Sequence, residues 1–172
     1  PLASEHPEFL LRSAESQPHF GSGNLLLNLG LPEARAYITE QISGIIAESG
    51  VDIYRQDFNL DPLPYWQAAD AADRVGMTEI RHIEGLYAMW DALRSRHPGL
   101  AIDNCSSGGR RIDLETLSRS FPLWRSDFSD YDGPSHGSWL QIADQVQTAG
   151  LSRWIPLHAG PVWHFTPYDF RS

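Results

Sequence analysis

The chain has 172 residues, 41% of them hydrophobic, which is enough to bury the core of one domain or of part of a larger one. The formal net charge of -9 and the pI near 5.1 argue against nucleic acids and anionic membranes as partners. A single cysteine, Cys105, excludes an internal disulfide framework and favours a reducing, cytoplasmic compartment. No apolar run approaches the roughly 20 residues that a membrane span needs.

Strand patterns and helix patterns alternate along the chain. Apolar runs bounded by turn residues predict strands at residues 24–29, 51–58, 100–102, 122–126 and 153–157. Helical composition, with apolar residues at helical spacing in the longer segments, predicts helices at residues 33–48, 78–96, 112–120 and 138–148. Residues 1–23 are expected to be loop with one helical turn. Residues 59–76 are expected to form a loop too long for a simple connection, which favours a functional role.

This alternation predicts an α/β fold with parallel strands and right-handed crossovers. Two architectures fit about five such units: an open five-stranded sheet, or about five-eighths of a (β/α)8 barrel, which typically needs about 250 residues. The sequence begins with Pro1 and not with Met, and residues 167–172 end it without a helix or a tail. We therefore expect both ends to lie inside a longer chain, which favours a partial barrel over residues 1–172.

Asp57 lies at the end of the strand predicted at 51–58, with only Phe58 after it. The carboxyl ends of parallel strands meet at one rim, where α/β enzymes place their chemistry. Arg55 is expected to point to the same side, and a neighbouring guanidinium favours an ionised carboxylate. An ionised carboxylate at this rim suits a covalent nucleophile on a sugar carbon. An ordinary salt bridge between Arg55 and Asp57 is an equally good interpretation.

Asp127 lies at the end of the strand predicted at 122–126, and Asp130 and Asp132 follow it closely. Carboxyl groups that crowd together favour the protonated form of at least one of them, which a general acid requires at neutral pH. Asp130 and Asp132 are also candidates for turn formation or for accepting sugar hydroxyls. The alternative is that all three acids belong to a loop that caps the next helix.

Residues 104–111, Asn-Cys-Ser-Ser-Gly-Gly-Arg-Arg, form a turn-like segment between the two acids. No Lys-Ser/Thr pair follows the glycines, so this is not a phosphate-binding loop. Glycines allow the backbone to approach a ligand closely, and Cys or Ser can donate to a hydroxyl. A tight structural turn explains the same residues. The seven histidines show no metal-ligand spacing, so neither a metal nor another cofactor is predicted.

Four aromatic residues fall in or near the predicted rim loops: Trp66, Trp124, Trp139 and Trp163. Aromatic faces stack on the apolar side of sugar rings, which would place them at a carbohydrate site. Packing in the core is the alternative for each of them.

Four segments, taken in order, carry a family resemblance. They are His-Pro-Glu-Phe-Leu at 6–10, Asp-Ile-Tyr-Arg-Gln-Asp-Phe-Asn at 52–59, Asn-Cys-Ser-Ser-Gly-Gly-Arg-Arg at 104–111 and Leu-Trp-Arg-Ser-Asp-Phe-Ser-Asp at 123–130. This series resembles the retaining alpha-galactosidases of glycoside hydrolase family 36, in clan D, and it covers nearly the whole chain. The second segment departs from the family pattern Tyr-Ile-Lys-Trp-Asp-Met-Asn, with Arg55 in place of Lys and Gln56 in place of Trp.

The resemblance implies a (β/α)8 TIM barrel of which this chain holds roughly strands three to seven. Asp57 would end strand four as the nucleophile, and Asp127 would end strand six as the general acid/base. Cys105 and Gly108 would contact the sugar 2-hydroxyl, and Arg55 would replace a lysine that binds ring hydroxyls. Further substrate-binding positions implied by the motifs are Asn59, Arg111, Trp124 and Asp130.

The implied activity is cleavage of terminal alpha-galactosides by double displacement, without cofactor or metal. The implied partners are an alpha-linked oligosaccharide and the remaining barrel strands of a parent chain, and a homo-oligomer stays open. Arginine forks where lysine presents a point charge, so the recognised hydroxyl pattern can differ. Three alternatives therefore stand: an alpha-N-acetylgalactosaminidase, a transglycosylase of the raffinose-synthase type, and a non-catalytic carbohydrate-binding barrel fragment.

Overall fold

A computed structural model describes residues 2–13, 23–130 and 137–160, with the side chains of 129–130 and 137–141 excepted. The chain divides into two compact units. The first comprises Pro1–Asp52 and Leu60–Leu100, and the second comprises Ile53–Asn59 and Ala101–Ser172. Among the described residues, no helix is both long enough and apolar enough to cross a membrane.

The first unit begins with a short helix and a small antiparallel sheet. Helix α1 (Leu2–Glu5) precedes a 3-10 turn at Pro7–Phe9 and strand β1 (Leu10–Arg12). Strand β2 (Leu25–Leu27) pairs with β1 so that Leu10 lies opposite Leu27. The antiparallel pairing and β1 itself contradict the expected loop at residues 1–23 and the expected all-parallel arrangement. Three residues are too short for periodicity to reveal a strand.

Three helices complete the first unit: α2 (Pro32–Ser49), α3 (Leu63–Ala69) and α4 (Met77–Arg96). The helices predicted at 33–48 and 78–96 are thereby confirmed as α2 and α4. The loop predicted at 59–76 is wrong in part because it contains α3. Proline is favoured in the first turn of a helix, and Pro64 lies in the first turn of α3. The same proline is also typical of loops, which is why the sequence predicted a loop here.

The core of the first unit lies between these elements. Large buried side chains from α3 and α4 dominate it: Tyr65, Trp66, Leu86, Met89, Trp90 and Leu93. Helices α2 and α4 are also joined at their surface, where Arg96 forms an ion pair of 2.6 Å with Glu40. The apolar burial accounts for most of the stability, since an exposed ion pair contributes about 0–1 kcal/mol.

The second unit is built on two parallel strands, β3 (Ile53–Gln56) and β4 (Ala101–Asn104). Their register places Arg55 opposite Asp103. Phe121 extends this sheet by a single parallel bridge to Asp103. Helix α5 (Leu114–Leu117), a 3-10 helix at Asp127–Asp130 and helix α6 (Gly137–Leu151) follow. The helices predicted at 112–120 and 138–148 correspond to α5 and α6.

Two predicted strands are absent from the described residues of this unit. Residues 122–126 form no strand, and only Phe121 bridges to the sheet. Pro122 lacks an N–H and so cannot continue the ladder as a donor. Residues 153–157 form turns after α6, with Ile155 buried. The observed α/β fold is therefore less regular than five parallel strands. Asp127 starts a 3-10 helix and does not end a strand.

Gly85 of α4 provides a test of the helix packing in the first unit. A Cβ atom at Gly85 would overlap the backbone carbonyl of Leu29, which a small side-chain movement cannot relieve. We expect Gly85→Ala to lower the free energy of unfolding by about 1–3 kcal/mol in urea denaturation. Gly44 of α2 has no atom within 4 Å of an added Cβ, so Gly44→Ala should instead stabilise by roughly 0.5–1 kcal/mol. Equal effects of the two substitutions would contradict this packing.

Candidate active site

Asp57 lies one residue after β3, at the position predicted from the sequence. Its side chain is 40% exposed, so solvent and a ligand can reach it. One carboxylate oxygen, Oδ1, accepts a hydrogen bond of 2.8 Å from the backbone N–H of Phe58. The other, Oδ2, lies 3.6 Å from Nη2 of Arg55. The predicted proximity of Arg55 and Asp57 is therefore present, and the carboxylate is both oriented and accessible.

Cys105 follows β4 and is only 1% exposed. Its backbone N–H donates to the carbonyl of Gln56 over 3.1 Å, which ties the ends of β3 and β4 together. The thiol lies close to the side chain of Asp57. Burial raises the pKa of Cys105, and the nearby Asp57 carboxylate raises it further, so the thiol stays protonated and can donate. Its predicted contact with a sugar hydroxyl stays a prediction.

Asn59 holds the middle of the same loop. Its Oδ1 accepts hydrogen bonds of 3.0 Å from both the backbone N–H and the hydroxyl of Ser107. Ser107 has φ of 43°, a left-handed conformation that costs a non-glycine residue about 1–3 kcal/mol. The two bonds from Ser107 offset this strain. The carbonyl oxygen of the Asn59 side chain thus holds the loop, and its predicted contact with substrate stays a prediction.

Arg111 is largely occupied with backbone contacts. Its Nη2 donates to the carbonyls of Gln56 and Cys105 over 3.0 and 2.6 Å. The guanidinium carbon lies 5.5 Å from the centroid of the Phe58 ring, a cation–π distance. Burial lowers the pKa of Arg111, although nearby acidic groups oppose this effect. Arg111 thus fastens the loop to the end of β3, and its predicted contact with substrate stays a prediction.

Asp127 is partly buried and contacts Trp124. The indole Nε1 of Trp124 donates a hydrogen bond of 2.9 Å to Oδ1 of Asp127. The Arg55 guanidinium carbon lies 5.9 Å from the Trp124 ring centroid. Trp124 therefore contacts both Arg55 and Asp127, which brings three of the predicted site residues together.

Gly108 lies against the backbone that carries Asp127. Its φ is 75°, and a Cβ atom there would lie 2.6 Å from the Asp127 backbone nitrogen and 2.8 Å from Cα of Ser126. Only glycine fits this combination of left-handed backbone and close approach. The residue that was predicted to contact a sugar thus also sets how near the loop comes to Asp127.

Asp103 is a site residue that sequence reasoning missed. It is 3% exposed, and its Oδ2 accepts a hydrogen bond of 2.6 Å from Nη1 of Arg55. Its Oδ1 accepts one of 2.9 Å from the backbone N–H of Leu123. The sequence does contain one indication of this role, because Asp103 directly follows the apolar residues 100–102 of a predicted buried strand. A buried acid requires a partner that donates to it.

The other predicted aromatic and acidic residues are distributed differently. Trp66 is buried in the first unit, with its ring centroid 5.3 Å from that of His82, so it belongs to the core there. Asp130 ends the 3-10 helix, and its side chain lies outside the described part of the chain, as do the side chain of Trp139 and all of Trp163. Within the described ranges, no cluster of His, Cys, Asp and Glu could hold a metal ion.

An open cavity of about 500 Å³ also lies in the second unit. The residues that line it are Gly109, Ile112, Arg125, Ser126, Gln147, Gly150, Leu151 and Trp154. None of these residues belongs to the predicted site. This cavity is therefore lined by other residues than those predicted from the sequence to form the site.

The close approach of Gly108 to Asp127 predicts a specific cost for a methyl group. Gly99→Ala is the matched control because Gly99 has φ of 97° but no atom within 4 Å of an added Cβ. Gly99→Ala should cost only backbone strain, about 1–3 kcal/mol in urea denaturation. Gly108→Ala should cost roughly 1–3 kcal/mol more because of the overlap. A Gly108→Ala variant no less stable than Gly99→Ala would argue against this contact.

Comparison with known proteins places this geometry in a family. The family model described as Melibiase matches residues 1–132. An alpha-galactosidase of Escherichia coli is 32% identical over 125 residues, and the probable alpha-galactosidase C of Aspergillus flavus is 30% identical over 133 residues. These matches cover 73% and 75% of this chain but only 17% and 16% of the relatives. The chain thus spans less than a fifth of the curated relatives it matches.

A solved structure gives the same relation. A variant of the family 36 alpha-galactosidase AgaA from Geobacillus stearothermophilus, in complex with raffinose, is 25% identical, with a TM-score of 0.66. The match covers 86% of this chain and 20% of that structure. Sequence and fold agree, which confirms the resemblance found in the motifs. The chain belongs to the melibiase family, the family 36 alpha-galactosidases.

Proposed function

We propose that these residues form part of the catalytic domain of a retaining glycoside hydrolase that cleaves terminal alpha-galactosides. The domain would be a (β/α)8 barrel, with this chain contributing roughly strands three to seven. One observation carries the proposal. A four-residue stretch contacts both acid-bearing segments, since the Cys105 N–H donates to the carbonyl of Gln56, the residue before Asp57, and Gly108 lies against the backbone of Asp127. Family membership and the alpha-galactosidase relatives support it.

In this proposal Asp57 is the nucleophile. Its carboxylate attacks the anomeric carbon and forms a covalent galactosyl-enzyme. The half-exposed side chain leaves room for the sugar, and the hydrogen bond from Phe58 N–H holds one carboxylate oxygen. The guanidinium of Arg55 lies 3.6 Å from the other oxygen and helps to orient the carboxylate for attack. The protonated Cys105 thiol lies beside the carboxylate on its buried side.

Asp127 is the general acid and then the general base. In its protonated form it gives its proton to the departing glycosidic oxygen, and as a carboxylate it then takes a proton from the water that releases the sugar. Trp124 supports this role because its indole N–H holds Oδ1 and leaves the second oxygen for the proton transfer. The two steps invert the anomeric carbon twice, so the configuration is retained. Neither step uses a cofactor or a metal.

Substrate contacts follow from the residues around the two acids. The candidates next to the two acids are Arg55, Cys105, Gly108 and Trp124. The family motifs imply three further candidates, which are Asn59, Arg111 and Asp130. The raffinose complex of the AgaA variant supports an alpha-linked oligosaccharide as the substrate. Alpha-N-acetylgalactosaminidase and transglycosylase activities of the same clan are the competing assignments.

The test traps the covalent intermediate in the protein expressed from the full open reading frame. A fluorinated alpha-galactosyl fluoride slows hydrolysis of the intermediate, so peptide mass spectrometry should find the sugar on Asp57. Asp61 is the internal control because it lies nearby in sequence and should carry no label. Label on a residue other than Asp57, or inversion of product configuration by NMR, would refute the assignment.

The acid/base role has its own signature. Asp127→Asn should lower kcat for a poor leaving group by about 10²–10⁴-fold, and less for an activated aryl galactoside, which needs no proton. Added azide should restore turnover of the aryl substrate and give an alpha-galactosyl azide. A variant with equal losses for both leaving groups and no azide rescue would contradict this role.

A further inference from the structure

The charge that orients Arg55 comes from the neighbouring strand. Arg55 and Asp103 are directly paired in the parallel register of β3 and β4. The distance from Nη1 of Arg55 to Oδ2 of Asp103 is 2.6 Å, whereas Nη2 lies 3.6 Å from Oδ2 of Asp57. The closest carboxylate to this guanidinium is thus the buried one. Arg55 therefore links a buried acid to an accessible acid through two different nitrogens.

Asp103 also holds a third segment of the chain. Its other oxygen accepts the hydrogen bond from the backbone N–H of Leu123, one residue before Trp124. The bridge to Phe121 adds two backbone hydrogen bonds of 2.9 Å, from Asn104 N–H to Phe121 and from Phe121 N–H to Ile102. A carboxylate with both oxygens bonded and a side chain 4% exposed has one arrangement available to it.

From Arg55 the contacts continue to both proposed catalytic acids. One nitrogen reaches Asp57, and the flat guanidinium faces the Trp124 ring, whose N–H donates to Asp127. The side chain of Arg55 is 39% exposed, so without Asp103 it could rotate into solvent. Rotation would remove the cation from Asp57 and the packing partner from Trp124 at the same time.

We propose that Asp103 is a positioning residue, which fixes the Arg55 guanidinium so that Asp57 and the Trp124–Asp127 pair are held in one arrangement. This inference rests on the proposed function, because it concerns the same two acids. It explains the arginine at position 55, since one lysine nitrogen cannot serve two carboxylates in this forked way. Burial alone would lower the pKa of Arg55, but the hydrogen bond to Asp103 and nearby acidic groups raise it, in agreement with a firmly held cation.

The test is a double-mutant cycle in kcat, measured on the protein from the full open reading frame with an aryl alpha-galactoside. Asp103→Asn keeps an acceptor for Leu123 N–H but removes the charge that holds Arg55. We expect kcat to fall about 10²-fold, the scale of a small misplacement of reacting groups, with KM changed less than threefold. Arg55→Lys should cause a similar loss, and the double variant little more than either single one.

Asp144→Asn is the matched control. Asp144 is a buried acid of the same unit, with a side chain 7% exposed and an arginine partner, Arg125, at 3.9 Å. A general effect of removing a buried charge should lower stability in both variants, whereas kcat should stay within about twofold in Asp144→Asn. Asp103→Glu should restore part of the activity lost in Asp103→Asn, since it returns the charge.

The outcomes separate the two proposals. A wild-type protein that is not labelled on Asp57 overturns the proposed function, and this inference with it. A labelled wild type whose Asp103→Asn variant keeps kcat within twofold, or whose two losses multiply in the double variant, overturns the positioning role alone. If Asp103→Asn does not fold, Arg55→Lys decides: its side chain is partly exposed, and an unchanged kcat overturns the inference.

Discussion

The second unit depends on one buried carboxylate, that of Asp103. A charge with so little exposure costs free energy unless its oxygens are bonded, and here the donors to both oxygens come from β3 and from the segment at Leu123. The requirement to satisfy one buried group therefore brings together the two acid-bearing segments, far apart in sequence. Asp57 and Asp127 can thus stay accessible to a ligand while the group that orients them, the Asp103 carboxylate, stays buried.

The loop after β4 adds a second link between the same segments. The Cys105 N–H donates to the carbonyl of Gln56, next to Asp57, while Gly108 lies against the Asp127 backbone. Arg111 and Asn59 hold the loop by bonds to β3 and to Ser107. Several residues implied as ligand contacts thus also serve to hold the loop. Because these contacts are closely packed, a substitution that enlarges one small residue should displace a segment that carries an acid.

The sequence predicted the parts of this structure that local pattern controls. Helices α2 and α4 are long and periodic, and Asp57 follows a recognisable apolar run. Strand β1 was missed because three residues are too few to show periodicity, and α3 was missed because it is short and Pro62 and Pro64 favour a loop. Asp103 was missed because its role depends on pairing with Arg55, 48 positions away. That pairing is set by the register of β3 and β4 and not by local sequence.

The proposed mechanism requires Asp57 and Asp127 to act as a nucleophile and acid/base pair with retention of configuration. The separation of their carboxyl groups tests it most directly, in a crystal structure of the protein from the full open reading frame with a galactose-like inhibitor bound. A retaining pair should be about 5–6 Å apart, the spacing at which a carboxylate reaches the anomeric carbon itself. A separation near 9 Å, with room for a water between acid and sugar, would contradict it.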